Sequence, residues 1–214
     1  MKDIAKYIDH TCLLPNLIEK DIQKICNEAI QYNFASICIN PVHVPLAAKY
    51  LKNSFSKVCT VIGFPFGAIS TEIKYAEAML AIHQGAEELD MVINIGALKE
   101  GKDELLINEI TKIVKISEKV CIKVIIETCL LNKEEKIHIS KLIKDCGADF
   151  VKTSTGFSKG GAIIEDIKII RKAVGNNMGV KASGGIKFLS DVNEMLNAGA
   201  NRIGTSSGVS ILNE

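Results

Sequence analysis

The chain has 214 residues, of which 47% are hydrophobic and 24% are charged, and its formal net charge is +1 at pH 7. This apolar content excludes a disordered chain, and the length suits one domain with a substantial core. The balanced charge argues against a nucleic-acid or membrane-surface partner, since both favour a basic excess. No apolar run approaches the ~18 residues of a membrane span, and the N-terminus lacks a signal-peptide core, so a cytoplasmic protein is expected.

The seven cysteines form no CxxC pair, and the four histidines show none of the spacings typical of a zinc site. We interpret the cysteines as small buried side chains in a reducing compartment rather than as a disulfide framework. Neither a metal ion nor another cofactor is expected. Only two of the 26 basic residues are arginines, Arg171 and Arg202, so an anion site must use backbone N–H groups, hydroxyls and lysines.

Short β-branched runs alternate with amphipathic segments along the whole chain. The predicted elements, in chain order, are strand Tyr7–Thr11, helix Glu19–Tyr32, strand Ser36–Asn40, strand Val58–Phe64, helix Ile73–His83, strand Leu89–Ile95, helix Asp103–Glu118, strand Cys121–Thr128, helix Lys133–Asp145, strand Phe150–Thr155, helix Ile163–Ala173, strand Gly179–Ser183, helix Phe188–Ala198 and strand Arg202–Ser206. No linker or change of composition divides them, so residues 1–214 are expected to form a single domain.

Eight predicted strands separated mostly by helices indicate an α/β fold with a parallel sheet covered by helices. Such a sheet either closes into a (β/α)8 TIM barrel or stays open and doubly wound. An open sheet with a dinucleotide site carries a Gly-rich fingerprint after its first strand, and the segment IDHTCLLP has none. The even spacing of the strands favours the barrel, in which the active site lies at the carboxyl ends of the strands.

Four charged residues interrupt the predicted strands: Asp90, Lys123, Lys152 and Lys181. Both faces of a barrel strand are dry, so a charge there is costly unless it is paired or takes part in chemistry. A structural ion network, or lysines that reach solvent at the strand ends, is one interpretation. Charges on four consecutive strands favour another, because crowded ammonium groups lower a lysine pKa and a neutral lysine amine attacks carbonyl groups. The pattern predicts Schiff-base chemistry, with Asp90 handling a proton or balancing charge.

Glycine- and serine-rich runs follow the last two predicted strands. They are ASGGIK, with Gly184 and Gly185, and GTSSG, with Gly204, Ser206 and Ser207. Either run alone is typical of a tight turn, but barrels often bind phosphate with the loops after strands seven and eight. Together the two runs therefore predict a phosphate site. A third such loop, residues 153–161, contains Thr155 and is expected to form a wall of the same pocket.

Six sequence motifs resemble those of the deoxyribose-phosphate aldolases. They are IDHT, DMVINIGALK, KVIIET, DFVKTSTGF, VKASGGI and RIGTSSG. The resemblance extends from Tyr7 to Val209. It implies a class I aldolase without metal, which cleaves 2-deoxy-D-ribose 5-phosphate to acetaldehyde and D-glyceraldehyde 3-phosphate in deoxyribonucleotide catabolism. The expected partner is thus a small phosphorylated sugar.

The resemblance also implies roles for single residues. Lys152 corresponds to the Schiff-base lysine, Lys181 to the second lysine that perturbs it, and Asp90 to the catalytic acid/base. The resemblance also places Asp9, Thr11 and Cys38 in the lining of the pocket. Apart from the resemblance, Lys123 is expected to hold Asp90 in place and to belong to the substrate-binding residues. Because the exposed helices of barrels commonly pair, a homo-oligomer, either a dimer or a tetramer, is expected.

Two other functions compete with the aldolase. A phosphosugar isomerase or epimerase uses carboxylate or histidine bases and has no need of two lysines at equivalent strand ends. A phosphosugar-binding barrel without activity has no need of the complete set of central residues. A trapped imine excludes the first alternative, and turnover of the deoxysugar phosphate excludes the second.

Overall fold

The structure is a computed structural model that describes residues 4–116 and 119–214. Eight parallel strands form a closed barrel in which neighbours in sequence pair with each other and the last strand pairs with the first. The strands are β1 (Ile8–Cys12), β2 (Ser36–Ile39), β3 (Lys57–Ile62), β4 (Glu88–Val92), β5 (Cys121–Ile125), β6 (Phe150–Lys152), β7 (Gly179–Ser183) and β8 (Arg202–Thr205). The predicted (β/α)8 barrel is confirmed, and the open doubly wound sheet is excluded.

Helices occupy most of the segments between the strands. They are α1 (Glu19–Tyr32), α2 (Val44–Tyr50), α3 (Thr71–His83), α4 (Ile95–Lys99), α5 (Asp103–Val114), α6 (Lys133–Asp145), α7 (Ile164–Val174), α8 (Leu189–Ala198) and α9 (Gly208–Leu212). The predicted helix Asp103–Glu118 is too long, since α5 ends at Val114, and its last two residues, 117 and 118, lie outside the described residues. Within the described ranges, no helix has the length and apolar character of a membrane span.

The sequence pattern explains how these layers pack. All five residues of β4 are buried, because one face of the strand points into the barrel and the other meets the helices. Helix α1 buries Ile22, Ile25, Cys26 and Ala29, which recur at intervals of three and four residues and so form one apolar face. Asn33, in the left-handed conformation, ends this helix.

Most strands end earlier than predicted. Ser36–Asn40 ends at Ile39, Val58–Phe64 at Ile62, Leu89–Ile95 at Val92, Cys121–Thr128 at Ile125, Phe150–Thr155 at Lys152 and Arg202–Ser206 at Thr205. The β-branched runs continue into loops at the carboxyl end of the barrel, where polar groups redirect the chain. Asn94, for example, accepts the N–H of Ala97 and thereby starts α4, and Thr153 exchanges hydrogen bonds with the backbone of Ser183. The overlong predictions therefore run into the site itself.

Candidate active site

Charged side chains fill part of the barrel interior and form what we call the buried ion cluster. Its members are Asp9, Glu88, Asp90, Lys123, Lys152, Lys181 and Arg202. The strand register places Asp90 beside Lys123 and Lys152 beside Lys181. Strand β6 is offset from β5, so that Lys152 lies opposite Ile125. Lys152 is thus nearer than Lys123 to the carboxyl end of the barrel.

Asp90 is the centre of the cluster. Its Oδ1 accepts a hydrogen bond from Lys123 at 2.9 Å, and its Oδ2 accepts bonds from Lys152 at 2.6 Å and Lys181 at 2.7 Å. Burial raises the pKa of the Asp90 carboxyl, but the three ammonium groups more than offset this and hold it well below its ordinary value. Asp90 is therefore ionised, and it is the group that allows three lysines to lie together.

The cluster contains four cations and three carboxylates, so one positive charge is in excess. Among the residues that the structure describes, Lys152 contacts a single carboxylate, that of Asp90. Each of the other three cations contacts two or three carboxylates. Loss of one proton would leave the cluster electrically neutral, and Lys152 is the cation whose charge is balanced by the fewest partners.

Crowding does not lower the pKa of Lys123 or of Lys181, so the expected fall of at least one lysine pKa does not occur at either residue. Burial lowers the pKa of Lys181, but attraction to Asp9 and Asp90 raises it by a larger amount. The pKa therefore lies above its ordinary value of 10.5. The pKa of Lys123 is raised for the same reason, with Asp90 as the main partner. The carboxylates lie between the ammonium groups, so attraction exceeds repulsion. Both residues are ammonium ions at neutral pH.

A cavity of about 400 Å³ lies at the carboxyl ends of β1, β6, β7 and β8, as expected for a barrel enzyme. Lys152 is the member of the buried ion cluster that lines it. The other predicted residues in its wall are Thr11, Thr155, Gly184, Gly185, Gly204 and Ser206. The structure therefore brings the lysine and the three glycine- and serine-rich loops to one cavity.

Several predicted site residues lie beside this wall rather than in it. Asp9 and Lys123 belong to the buried ion cluster, and the Cys38 Sγ lies 4.0 Å from Asp90 Oδ2. Ser207 directly precedes α9, where its N–H donates to the Thr205 hydroxyl at 3.0 Å. These four residues lie close to the cavity wall but do not line the cavity themselves.

The structure requires glycine at three positions of the cavity wall, for two different reasons. Gly184 and Gly185 adopt positive φ angles of 87° and 80°, a conformation that favours glycine and turns the backbone sharply. Gly204 is instead required by packing, because a Cβ there would lie 2.5 Å from Ser183 Oγ. Gly204 thus has a packing reason in addition to its place in the cavity wall.

Sequence reasoning missed several residues of this region. Lys187 lines the cavity and is the lysine that closes the ASGGIK motif, so its position could have been noticed. Ser183 also lines the cavity, and its buried hydroxyl has no hydrogen-bond partner in the described part of the chain. Glu88 and Arg202 complete the buried ion cluster from the first positions of β4 and β8. A charge at the start of a strand gives no sequence signal of burial.

One group of potential metal ligands occurs among residues 4–116 and 119–214: donor atoms of Cys38, Cys59 and Asp90 lie within 4.8 Å of one another. The group does not fit a divalent cation. Both oxygens of Asp90 already accept bonds from ammonium groups, which would repel an added cation.

A lysine amine that faces a cavity at the carboxyl end of a (β/α)8 barrel, against an ionised carboxylate, defines the site of an enzyme. A family model described as DeoC/LacD family aldolase matches residues 4–214. The chain belongs to the DeoC/LacD aldolase family, which confirms the aldolase class indicated by its motifs.

Similar proteins agree with this assignment. The deoxyribose-phosphate aldolase of Thermococcus gammatolerans is 56% identical over 98% of this chain and 95% of its own length. That of Caldanaerobacter subterraneus subsp. tengcongensis is 53% identical over 100% of this chain and 94% of its own. Among solved structures, the deoxyribose phosphate aldolase of Aeropyrum pernix, described as a unique tetramer, has a TM-score of 0.92 at 34% identity and covers 98% of this chain and 89% of its own.

Proposed function

We propose that the protein cleaves 2-deoxy-D-ribose 5-phosphate reversibly to acetaldehyde and D-glyceraldehyde 3-phosphate, with Lys152 as the Schiff-base nucleophile. The observation that carries the proposal is the position of Lys152, which reaches the cavity while it retains one carboxylate partner. The names of the relatives support the choice of substrate. No cofactor is required, because the imine itself accepts the electron pair.

The geometry supports the following steps. Lys152 gives up one proton to solvent water, which leaves the buried ion cluster neutral, and attacks the C1 aldehyde as the neutral amine. The carbinolamine takes up a proton as its hydroxyl leaves as water, which gives a protonated imine. The C2–C3 bond then breaks as the C3 hydroxyl loses its proton, and the electron pair moves into the imine to form an enamine. Asp90 lies 2.6 Å from Lys152 Nζ and is the candidate acid/base. Lys181 and Lys123 hold that carboxylate in place.

Reduction with borohydride in the presence of acetaldehyde tests the nucleophile. We expect an ethyl group on Lys152 alone, because the other lysines of the cluster are fixed as ammonium ions behind the cavity wall. Mass spectrometry of the digested protein locates the label. Labelling of Lys123 or Lys181 with Lys152 unmodified would contradict the assignment, and a phosphosugar isomerase would give no label.

We also propose that the substrate phosphate binds between the loops after β7 and β8. Gly184, Gly185 and Ser206 line this part of the cavity, and Lys187 adds a cation that the described loops otherwise lack. Ser207 and the start of α9 lie directly behind it. Backbone N–H groups at positive-φ glycines and a nearby ammonium group suit a dianion.

Ser206→Ala should lower kcat/KM for 2-deoxyribose 5-phosphate about ten- to a hundredfold, because a hydrogen bond to a charged group is lost. The same variant should retain its activity on unphosphorylated 2-deoxyribose, which places no phosphate in the loop. Steady-state kinetics with both sugars measure the difference. Ser210→Ala, an exposed serine within α9, is the matched control. Equal losses on both sugars would contradict the phosphate site.

Three further features complete the proposal. We propose a homo-oligomer, a dimer or tetramer, on the basis of the tetrameric Aeropyrum pernix relative. The seven free cysteines support a reducing, cytoplasmic location. Pairing of β8 with β1 supports one catalytic domain over residues 1–214, and the near-neutral charge supports the absence of a nucleic-acid partner.

A further inference from the structure

Glu127 has an unusual position at the carboxyl end of the barrel. It follows β5 by two residues, is 2% exposed and has a φ of 53°. The other non-glycine residues with positive φ in the described chain are Asn33 and Asn53, and asparagine adopts this conformation readily. A buried glutamate in the left-handed region is costly, and such strain is retained where the side chain has a function.

The Glu127 carboxylate is directed at Thr155. The Thr155 N–H donates to Glu127 Oε2, with 3.3 Å between nitrogen and oxygen. The Thr155 hydroxyl donates to the same oxygen. The Thr155 Oγ1 in turn accepts the N–H of Phe157 at 3.1 Å. Both Thr155 and Phe157 line the catalytic cavity. A single side chain from the β5 end thus fixes the orientation of a cavity residue that comes from the loop after β6.

These contacts set the hydrogen-bonding polarity of Thr155. A threonine hydroxyl has one hydrogen to donate, and an ionised carboxylate can only accept. Because the hydrogen of Thr155 is committed to Glu127, its Oγ1 can only accept a bond from a ligand. The sugar hydroxyls on C3 and C4 are the donors that a bound 2-deoxyribose 5-phosphate imine offers. A carbonyl or phosphate oxygen at this position would meet another acceptor.

We propose that Glu127 is a positioning residue that keeps Thr155 as an acceptor for a sugar hydroxyl, and so selects hydroxylated aldehydes as partners of the enamine. The proposal rests on the proposed aldolase function and adds a specificity determinant to it. Acetaldehyde carries no hydroxyl, so Schiff-base formation with acetaldehyde does not depend on this interaction.

The Glu127 side chain can be changed without loss of the backbone hydrogen bonds around it. The bonds that join the end of β5 to β6 use backbone atoms: Ile126 N donates to Lys152 O at 3.0 Å, and Thr128 N donates to Thr153 O at 2.9 Å. These bonds do not need a carboxylate at residue 127. Glutamine has nearly the same shape but is neutral, and one of its two terminal atoms is an NH2 donor. It therefore accepts the Thr155 hydroxyl more weakly and no longer fixes the direction of that bond.

The test compares wild type, Glu127→Gln, Thr155→Val, Thr155→Ser and the double variant Glu127→Gln/Thr155→Val. Two rates are measured: cleavage of 2-deoxyribose 5-phosphate, and borohydride trapping of the acetaldehyde imine. We expect Glu127→Gln and Thr155→Val each to lower kcat/KM for cleavage about ten- to a hundredfold. The trapping rate should stay within about twofold of wild type, and Thr155→Ser should retain most of the cleavage activity because it keeps the hydroxyl.

The double variant decides whether Glu127 acts through Thr155. Its cleavage rate should equal that of Thr155→Val, since residues that act as a unit give non-additive losses. Additive losses, or a parallel loss of trapping and cleavage in Glu127→Gln, would overturn the proposal. If Glu127→Gln does not fold, Glu127→Asn replaces it, because asparagine accepts the left-handed backbone and is too short to reach Thr155; the same separation of the two rates is expected. Failure of the proposed function would be seen in the wild type, whereas failure of this inference would be seen only in the variants.

Discussion

Lys152→Met is expected to lower kcat for 2-deoxyribose 5-phosphate cleavage by about 10⁴-fold or more. Methionine has a similar length and no charge, but it has no amine to form the imine. Without the imine, the electron pair of the C2–C3 bond has no acceptor. The measurement is steady-state kinetics on protein from a host that lacks its own aldolase of this kind.

The charge balance of the cluster makes this test specific. Removal of the Lys152 charge leaves three cations and three carboxylates, so the variant should be as stable as wild type or more so. Thermal unfolding checks this point. Lys168→Met, which changes an exposed lysine on α7, is the matched control and should retain full activity. If Lys152→Met kept more than about 1% of kcat, Lys152 would not be the nucleophile.

Asp90→Asn is expected to reduce both activity and stability. The variant leaves three buried ammonium groups around a neutral amide, and loss of one partner from a buried ion pair costs about 3–5 kcal/mol. We expect kcat to fall about 10³-fold or more, because the candidate proton acceptor is lost as well. Urea denaturation measures the free energy of unfolding. Unchanged stability would show that Asp90 is not the centre of the cluster.

Acid should act on the same carboxylate. The pKa of Asp90 in the folded protein is held below its ordinary value of 3.8, so its ionised form stabilises the fold at pH values above 3.8. This stability is lost as the pH falls below 3.8 towards the depressed pKa. The Asp90→Asn variant should therefore lose less stability on acidification than wild type, whereas Asp145→Asn, an exposed control on α6, should follow wild type.

The barrel was predictable from sequence because its long helices show a repeated apolar spacing. The short helices were not predicted. Helices α1 and α6 have the bounds that the apolar periodicity indicates. Helices α2, α4 and α9 contain only five to seven residues, which is too short for a repeated apolar spacing to be seen. The overlong strand predictions have a different cause, because the apolar runs continue past the strand ends into the loops at the carboxyl end of the barrel.

The candidate site was predictable where a charge interrupts an apolar strand. Asp90, Lys152 and Lys181 stand out for that reason. Arg202 does not, because only closure of the barrel brings it within 2.7 Å of Asp9. Glu127 was also hidden: its motif KVIIET has the composition of a strand, and the left-handed turn of its backbone has no counterpart in residue type.

The bond between Arg202 and Asp9 joins residues 193 positions apart in the chain. A ribosome therefore synthesises the nucleophile and its carboxylate well before the strand that closes the ring. Until β8 has emerged, β1 and β7 both have an unpaired edge, and Asp9 lacks its guanidinium partner. A nascent chain can thus contain Lys152, Asp90 and Lys181 without the walls that form the cavity. The cavity is complete only once β8 has been synthesised, because Gly204, Thr205 and Ser206 form part of its wall.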